Sequence, residues 1–275
     1  MIEIPILSPF LTQLVTNILV VFYQGLSYIH IPFALGFAII LLTVFIRLLL
    51  YPLTSKQLQV TKKMQDLAPH LSNIKDKHKG DMKKQQEATM ALYKEHGVNP
   101  AAGCLPGLVQ ILVLLCGLYP ALYKIFTLPQ HSVLSTVNHM LYFPSLHLTT
   151  LWDTHFLGLM LGKTPAQQFA SVGPIILIIP VLTAVFQFLQ SKMMMSATPK
   201  GAIVVKKDNK PDDFAATFQK QSLYLLPVMI GFFSWNFSIG LSLYWNTFTV
   251  FGIIQQYLVA GLGGLESWIK KPNTK

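Results

Sequence analysis

The chain has 275 residues, of which 52% are hydrophobic and only 12% are charged, and its formal net charge is +10 at pH 7. Soluble domains carry about 25% charged residues, so this composition excludes an ordinary soluble protein and indicates a polytopic membrane protein. The basic residues cluster in a few stretches between apolar segments, which is typical of cytoplasmic loops rather than of a DNA-binding surface.

The first predicted element is an amphipathic helix within residues 1–32. Five polar residues recur on one of its faces at helical spacing: Gln13, Thr16, Asn17, Gln24 and Ser27. This pattern favours a helix lying in the outer membrane interface. Residues 10–31 are also long enough to cross a bilayer, and the apolar run at 20–23 keeps that alternative open. The start of the chain, Met1–Pro5, lacks the basic region of a secretory signal peptide.

Five further segments are apolar and about as long as a membrane-spanning helix. We place them at 33–54, 104–126, 172–191, 222–238 and 239–260. The predicted fold is therefore an all-α polytopic membrane protein: a bundle of five transmembrane helices with an N-terminal interfacial helix and a cytoplasmic helical hairpin.

The distribution of lysine predicts the orientation of these spans. The stretch 55–103 holds nine lysines, 192–221 holds six and the short tail 261–275 holds three, whereas 127–171 holds only Lys163. By the positive-inside rule the three lysine-rich stretches are cytoplasmic. The loop 127–171 and the N-terminus are then outside, and the C-terminus is cytoplasmic.

The cytoplasmic stretch 55–103 is predicted to form the helical hairpin. Pro69 should interrupt its first arm, Lys77–Asp81 has the composition of a turn, and Met82–Glu95 contains good helix formers and no breaker. Its positive surface would suit anionic headgroups or ribosomal RNA, while a merely solvated charged loop is the alternative. The candidate docking residues are Lys62, Lys63, Lys83 and Lys84.

The motifs of common enzymes and metal sites are absent from the sequence. It contains no HExxH, GxSxG, phosphate-binding loop or GxGxxG pattern. Cys104 and Cys116 are twelve residues apart, roughly 18 Å along a continuous helix, which is too far for a disulfide. We therefore expect no enzymatic activity, no metal site and no cofactor.

Arg47 is the most informative residue, because it lies inside the first predicted span. A charged guanidinium at mid-membrane costs at least about 2.5 kcal/mol on insertion scales. Thr43 lies one turn earlier on the same side, and no span contains Asp or Glu. The pattern predicts a hydrated recess that receives polar backbone or acidic side chains of another protein. Snorkelling of Arg47 to the headgroups is the alternative.

Several amides also lie within the predicted spans. They are Gln110, Gln187, Gln190 and Asn246. They are candidates for lining the recess, although ordinary hydrogen bonding between helices is the alternative role. A small-solute transporter or channel would be expected to show intramembrane acids or internal repeats, which are lacking here. A membrane-anchored docking scaffold would leave Thr43 and Arg47 dispensable.

Three segments resemble the YidC/Oxa/Alb family of membrane protein insertases. Leu41–Gln57 resembles the family's first core helix, Ala91–Pro106 the junction into its second, and Leu241–Asn246 followed by Ile253–Gln256 its last. The likeness covers about residues 10–260 in the family's order. It is looser at 186–192, the segment that holds the two glutamines of the third span.

The resemblance implies five core helices around a hydrophilic groove that opens to the cytoplasm and to lipid. The family's arginine corresponds to Arg47, its groove threonine to Thr43, and the aromatic pair of its last helix to Tyr244 and Trp245. The hairpin at 55–96 corresponds to the family's cytoplasmic hairpin, and the N-terminal stretch to its outer interfacial helix.

The resemblance also implies a function, partners and a location. The protein is expected to insert nascent membrane proteins and to assist their folding, in contact with lipids, in a bacterial plasma membrane. Further partners would be the ribosome, the signal recognition particle receptor and the Sec translocon. The large outer domain of Gram-negative members is absent, and the tail Glu266–Lys275 is short and mildly basic, which argues against strong ribosome binding.

Overall fold

The computed structural model describes residues 7–99, 105–195 and 214–269, and these are mostly helical. Apart from short 3₁₀ turns, the elements follow in chain order. They are α1 Leu7–Tyr28, α2 Ala34–Leu49, α3 Tyr51–Asp66, α4 Ala68–Lys77, α5 Met82–Glu95, α6 Leu105–Leu112, a π-helix Val113–Leu118, α7 Tyr119–Thr127, α8 Gln130–Met140, β1 His155–Phe156, β2 Leu159–Met160, α9 Pro165–Val172, α10 Ile178–Met193, α11 Phe214–Ser234, α12 Ile239–Ala260 and α13 Glu266–Ile269.

The chain forms two compact units. The first comprises Met1–Leu49, Leu108–Phe186 and Val228–Phe251, so it contains α1, α2 and the stretch between the second and third predicted spans. The second comprises Leu50–Gly107, Gln187–Pro227 and Gly252–Lys275, and it contains the lysine-rich helices α3, α4 and α5.

Three helical segments of the described chain are long and apolar enough to cross a membrane. They are Leu7–Tyr28, Gly107–Thr127 and Pro174–Met193, and the broken pair α2 and α3 makes a fourth if it counts as one span. By this criterion the spans number three or four rather than five. The apolar part of α11 is only Leu223–Ser234, and α12 carries many hydroxyl and amide side chains along its length.

The first predicted span, 33–54, is not one continuous helix. Helix α2 ends at Leu49 and α3 begins at Tyr51, with Pro52 in its first turn. Proline lacks the N–H that would continue the helical ladder, and its ring clashes with the preceding turn. Proline therefore divides the predicted span 33–54 into two helices, an effect that hydropathy alone does not predict.

The polar face of α1 packs against protein. Asn17 donates from Nδ2 to the Met140 carbonyl at 2.8 Å and accepts the Tyr142 backbone N–H at 2.8 Å. Gln24 donates to the Leu146 carbonyl at 2.9 Å. Apolar side chains such as Phe10 and Val21 are exposed instead. The polar face of α1 therefore hydrogen-bonds to the end of α8 and to the loop after it. That α1 lies in the membrane interface stays a prediction.

The π-helix lies against α1 at a close approach. The Thr12 hydroxyl donates to the Cys116 carbonyl at 2.9 Å, and Ser8 approaches the same oxygen at 3.5 Å. A methyl group on the α-carbon of Gly117 would lie 3.1 Å from Val15. Because a π-turn displaces carbonyls from the α-helical ladder, hydroxyls of a neighbouring helix can bind one of them. Cys116 is a buried free thiol, and Cys104 lies outside the described residues.

A chain of buried hydroxyls joins α10, α11 and α12 within the first unit. The Thr183 and Ser234 oxygens are 3.2 Å apart, and the Ser234 and Ser242 oxygens are also 3.2 Å apart. Small polar residues of this kind let apolar helices approach closely, and their hydroxyls form hydrogen bonds with one another. They account for part of the hydroxyl content that makes α12 less apolar.

In the second unit, the lysine-rich stretch forms three helices. Helix α3 ends at Asp66 and α4 begins at Ala68, with Pro69 in its first turn. Helix α5 packs on α4 after a turn in which Gly80 has a positive φ of 87°. Asp81 caps α5 by accepting the Lys84 backbone N–H at 3.0 Å.

Candidate functional site

Helix α2 holds Thr43 and Arg47 one turn apart, and both side chains are covered by protein. Thr43 is 0% exposed and Arg47 is 5% exposed. The Thr43 hydroxyl donates to the Ile39 carbonyl of its own helix at 2.7 Å. The hydroxyl therefore has a partner within α2, and its lone pairs remain able to accept one further hydrogen bond.

The guanidinium of Arg47 is directed at Phe248 of α12. Its Nη2 donates to the Phe248 carbonyl at 2.7 Å, and its Cζ lies 3.3 Å from the centre of the Phe248 ring. Both contacts stabilise a cation: a charge-assisted hydrogen bond and a cation–π interaction. A single residue of α12 thus provides the guanidinium with an oxygen and an aromatic face.

These contacts leave the charge of Arg47 only partly compensated. Its Nε atom is buried and has no hydrogen-bond partner among the described residues. The ion pairs found in the described part of the chain involve Lys79, Lys84 and His155, not Arg47. A buried charge without a counter-ion is unfavourable. The site is chemically able to attract an anionic group or additional carbonyl oxygens.

Helix α12 contributes aromatic and amide groups beside this contact. Tyr244 is buried, and its ring centre lies 5.6 Å from that of Phe248, one turn further along. Asn246 is half-buried, and its Oδ1 atom has no partner among the described residues. Trp245 is half-buried. The polar and aromatic residues predicted for the last span therefore cluster within two turns of the Arg47 contact on α12.

The remaining predicted residues lie elsewhere in the fold. Gln110 is half-buried in α6, in the same unit as Arg47. Gln187 and Gln190 are half-buried in the part of α10 that belongs to the second unit. The four candidate docking lysines are exposed: Lys62, Lys63, Lys83 and Lys84. Within the described ranges, no group of three or more His, Cys, Asp or Glu side chains could hold a metal ion.

Sequence reasoning missed Phe248, the residue that contacts Arg47 directly. Its side chain is apolar, and its hydrogen-bonding group is a backbone carbonyl, so residue type alone did not identify it. The available signal was its position one turn after Tyr244 on α12. Gln255 and Thr54 were also missed; the Gln255 amide donates to the Thr54 hydroxyl at 2.6 Å.

Comparison with known proteins shows which family the chain resembles. A family model described as "60Kd inner membrane protein" matches residues 27–262. The chain is 34% identical over 252 residues to the membrane protein insertase YidC of Oceanobacillus iheyensis, an alignment that covers 90% of this chain and 79% of that protein. It is 33% identical over 230 residues to the membrane protein insertase MisCA of Bacillus subtilis, covering 82% of this chain and 70% of that protein.

A chloroplast protein is also similar. The inner membrane protein ALBINO3 of Arabidopsis thaliana is 34% identical over 278 residues, which covers 96% of this chain and 54% of that protein. The chain thus spans about half the length of the chloroplast relatives it matches. Because the family model covers most of the chain and the bacterial relatives align along most of their own length, the chain belongs to the YidC/Oxa/Alb family, that of the 60Kd inner membrane protein.

Proposed function

We propose that the protein is a membrane protein insertase and chaperone, which moves nascent membrane proteins from the cytoplasm into the bilayer and assists their folding. The observation that carries this proposal is the buried Arg47, whose charge is met by one carbonyl and one aromatic ring and by no carboxylate among the described residues. Relatives named membrane protein insertases, at 33–34% identity, support the same activity.

The arginine would act on the polar flank of a client. A short hydrophilic segment entering beside Arg47 gains hydrogen bonds and, if acidic, attraction that is stronger than in bulk water. These contacts reduce the desolvation penalty that otherwise keeps a polar segment out of the membrane. The guanidinium would then exchange the Phe248 carbonyl for an acceptor of the client.

The hydrophobic segment of the client would supply the driving force. Apolar surface transferred from water to lipid contributes about 25 cal/mol per Å². A 20-residue apolar helix gains far more from this transfer than a short polar flank loses, so the step requires no nucleotide hydrolysis. The protein would lower a barrier without making or breaking a covalent bond, and it is not an enzyme in the usual sense.

The proposed groove is formed by residues of several helices around Arg47. The lining that we propose within the first unit is Thr43, Arg47, Gln110, Tyr244, Trp245 and Asn246. Gln187 and Gln190, in the second unit, stay candidates from the sequence alone. Thr43, Arg47 and Tyr244 are buried, which supports a closed resting form in which Arg47 is held by Phe248 until a client arrives. Arg47 Nε and Asn246 Oδ1 lack hydrogen-bond partners among the described residues, which supports a role in binding client groups.

The proposed membrane arrangement keeps five core spans, with α3, α4 and α5 forming the cytoplasmic hairpin. The exposed lysines of this hairpin would meet the client, anionic lipid or ribosomal RNA. The loop containing α8 and α9 would be outside, with the N-terminus, and the C-terminus would be cytoplasmic. The location is a bacterial plasma membrane, with the ribosome, the signal recognition particle receptor and the Sec translocon as further partners.

Insertion into vesicles tests the proposed activity. The purified protein is reconstituted into proteoliposomes, and a small single-span client is added during synthesis without a Sec complex. Protease protection of the client above the level of empty vesicles supports an insertase. Protection equal to that of empty vesicles, together with flux of small solutes through the proteoliposomes, would instead favour a transporter or channel.

A further inference from the structure

Gln255 of α12 is one of the most completely buried polar side chains of the second unit, with 2% of its surface exposed. Its Nε2 atom lies 2.6 Å from the Thr54 hydroxyl, 3.1 Å from the Ser55 hydroxyl and 3.3 Å from the Tyr51 carbonyl. All three partners lie in the first turn or so of α3. One amide of the last long helix therefore binds the start of the first lysine-rich helix.

Among the residues that the structure describes, no side chain of another helix besides Gln255 is seen to hydrogen-bond to the start of α3. Leu50 occupies the N-cap position, and no side chain makes a capping hydrogen bond there. The Thr54 hydroxyl donates back to the Leu50 carbonyl at 3.0 Å, which leaves its oxygen free to accept from Gln255. Attachment of the α3 start to α12 thus depends on a donor that comes from α12.

Burial makes this contact specific. A primary amide buried among apolar helices is costly unless it is hydrogen-bonded, so its presence at position 255 requires partners such as these hydroxyls. The Oε1 atom of Gln255 has no partner among the described residues, so the donors of the amide carry the interaction. The neighbouring Gln256 is equally buried, but the bonds to α3 come from Gln255.

We infer that Gln255 is a positioning residue, which holds the base of α3 against α12 and so sets the direction in which the lysine-rich helices leave the membrane. This inference rests on the proposed insertase function, because those helices are the proposed site of client arrival. Gln255 does not touch the client. It acts through Thr54 and Ser55, and loosening this contact should slow delivery of the client.

The test compares insertion rates in proteoliposomes for wild type, Gln255→Leu and the matched control Gln256→Leu. Loss of buried hydrogen bonds corresponds to about a two- to tenfold change in an equilibrium, so Gln255→Leu should slow insertion about fivefold. Gln256→Leu removes an equally buried amide and should leave the rate within about twofold of wild type. Equal effects of the two substitutions would overturn the inference.

Substitutions of Thr54 distinguish an effect of the hydrogen bond to Gln255 from an effect of side-chain packing. Thr54→Ser keeps the hydroxyl and should insert clients like wild type. Thr54→Val keeps the shape but removes the shortest of the three contacts of Gln255, so it should be slower than wild type and no slower than Gln255→Leu. The double variant Gln255→Leu/Thr54→Val should be no slower than Gln255→Leu alone, because that substitution already removes the contact with Thr54. Independent, multiplying effects, or a fully active Thr54→Val, would contradict a positioning role.

Hydrogen exchange separates failure of the inference from failure of the proposed function. The amides of Thr54 and Ser55 should exchange about tenfold faster in Gln255→Leu than in Gln256→Leu. This result does not depend on whether the protein inserts clients at all. If exchange is unchanged, the contact does not hold the α3 start. If amide exchange is faster in Gln255→Leu but this variant inserts clients at the wild-type rate, the contact stabilises the fold and has no role in insertion.

Discussion

The ring of Phe156, in strand β1 of the hairpin that β1 and β2 form, packs directly on the α-carbon of Gly36 in α2. The same ring makes edge contacts with Phe33 and Phe37, at centroid distances of 6.2 and 5.4 Å. A methyl group at position 36 would overlap the Phe156 ring. The close approach therefore depends on glycine. Through this contact the β1–β2 hairpin packs on the start of α2, the helix that carries Arg47.

This relationship predicts that Gly36→Ala destabilises the protein. Overpacking of this kind typically costs about 1–3 kcal/mol, unless the ring can move away. Gly25→Ala in α1 is the matched control, because nothing lies within 4 Å of a methyl group there, and alanine favours a helix by up to about 1 kcal/mol. Thermal unfolding in detergent should rank Gly25→Ala above Gly36→Ala. Equal stabilities would show that the packing is loose.

Asn17 predicts a second effect on stability. Asn17→Leu removes the bonds to the Met140 carbonyl and the Tyr142 N–H, leaving two part-buried backbone groups without this partner. A destabilisation of about 2–3 kcal/mol is expected. Gln24→Leu removes one bond, to Leu146, and should cost about 1 kcal/mol. The same unfolding experiment measures both. A harmless Asn17→Leu would show that these hydrogen bonds do not stabilise the fold.

From the cap that Asp81 forms we predict how the stability of α5 depends on pH. The backbone N–H of Lys84 holds the pKa of Asp81 below its usual value, so the carboxylate stabilises the cap above the ordinary pKa of about 3.9. This contribution disappears as the pH falls through the lower pKa of the folded state. At neutral pH, Asp81→Asn should keep the cap and Asp81→Ala should lose it.

Amide exchange at the start of α5 measures this prediction. The amide of Lys84, which donates to Asp81, should exchange faster in Asp81→Ala than in wild type or Asp81→Asn. Glu87→Ala, which alters an exposed acid within the same helix, serves as the control and should leave that amide unchanged. If Asp81→Ala also leaves it unchanged, the cap makes no contribution to the helix start.

Arg47→Lys should retain most insertion activity. The guanidinium makes one hydrogen bond, to the Phe248 carbonyl, and lies over one ring, and an ammonium group can make both contacts. Charge therefore matters more here than the planar fork of arginine. Insertion rates of the two proteins in proteoliposomes should differ by less than about threefold. A lysine variant as inactive as an alanine variant would mean that the planar guanidinium is required, either to stack on the Phe248 ring or to bind the client through two parallel hydrogen bonds.

Hydropathy and helix signals predicted much of the helical layout. The turn before α5 and the bounds Met82–Glu95 and Ile239–Ala260 follow from glycine, proline and apolar periodicity, which are local properties. The break between α2 and α3 was missed, because mean hydropathy does not register the effect of Pro52. The hydrogen-bond partners of the polar face of α1 were missed because they lie more than 120 residues away in sequence.

Two residues of the candidate site could be selected from the sequence, and their role stays a prediction. Arg47 and Thr43 stand out because polar residues are unfavourable in an apolar helix, and their burial is observed. The partner of Arg47 could not be identified from residue type, because it is the backbone carbonyl of Phe248, and every residue of a helix has such a carbonyl. Contacts made by backbone groups depend on how the helices pack, and this packing cannot be inferred from a single sequence.

The most direct test of the central claim is the effect of Arg47→Ala on insertion of a Sec-independent single-span client into proteoliposomes, scored by protease protection. Leu48→Ala alters a neighbouring, exposed side chain and serves as the matched control. Loss of a charge-assisted hydrogen bond of about 1.5–3 kcal/mol predicts at least a tenfold fall in the insertion rate for Arg47→Ala, with Leu48→Ala close to wild type. Insertion by Arg47→Ala at the wild-type rate would contradict a role for the buried charge in receiving clients.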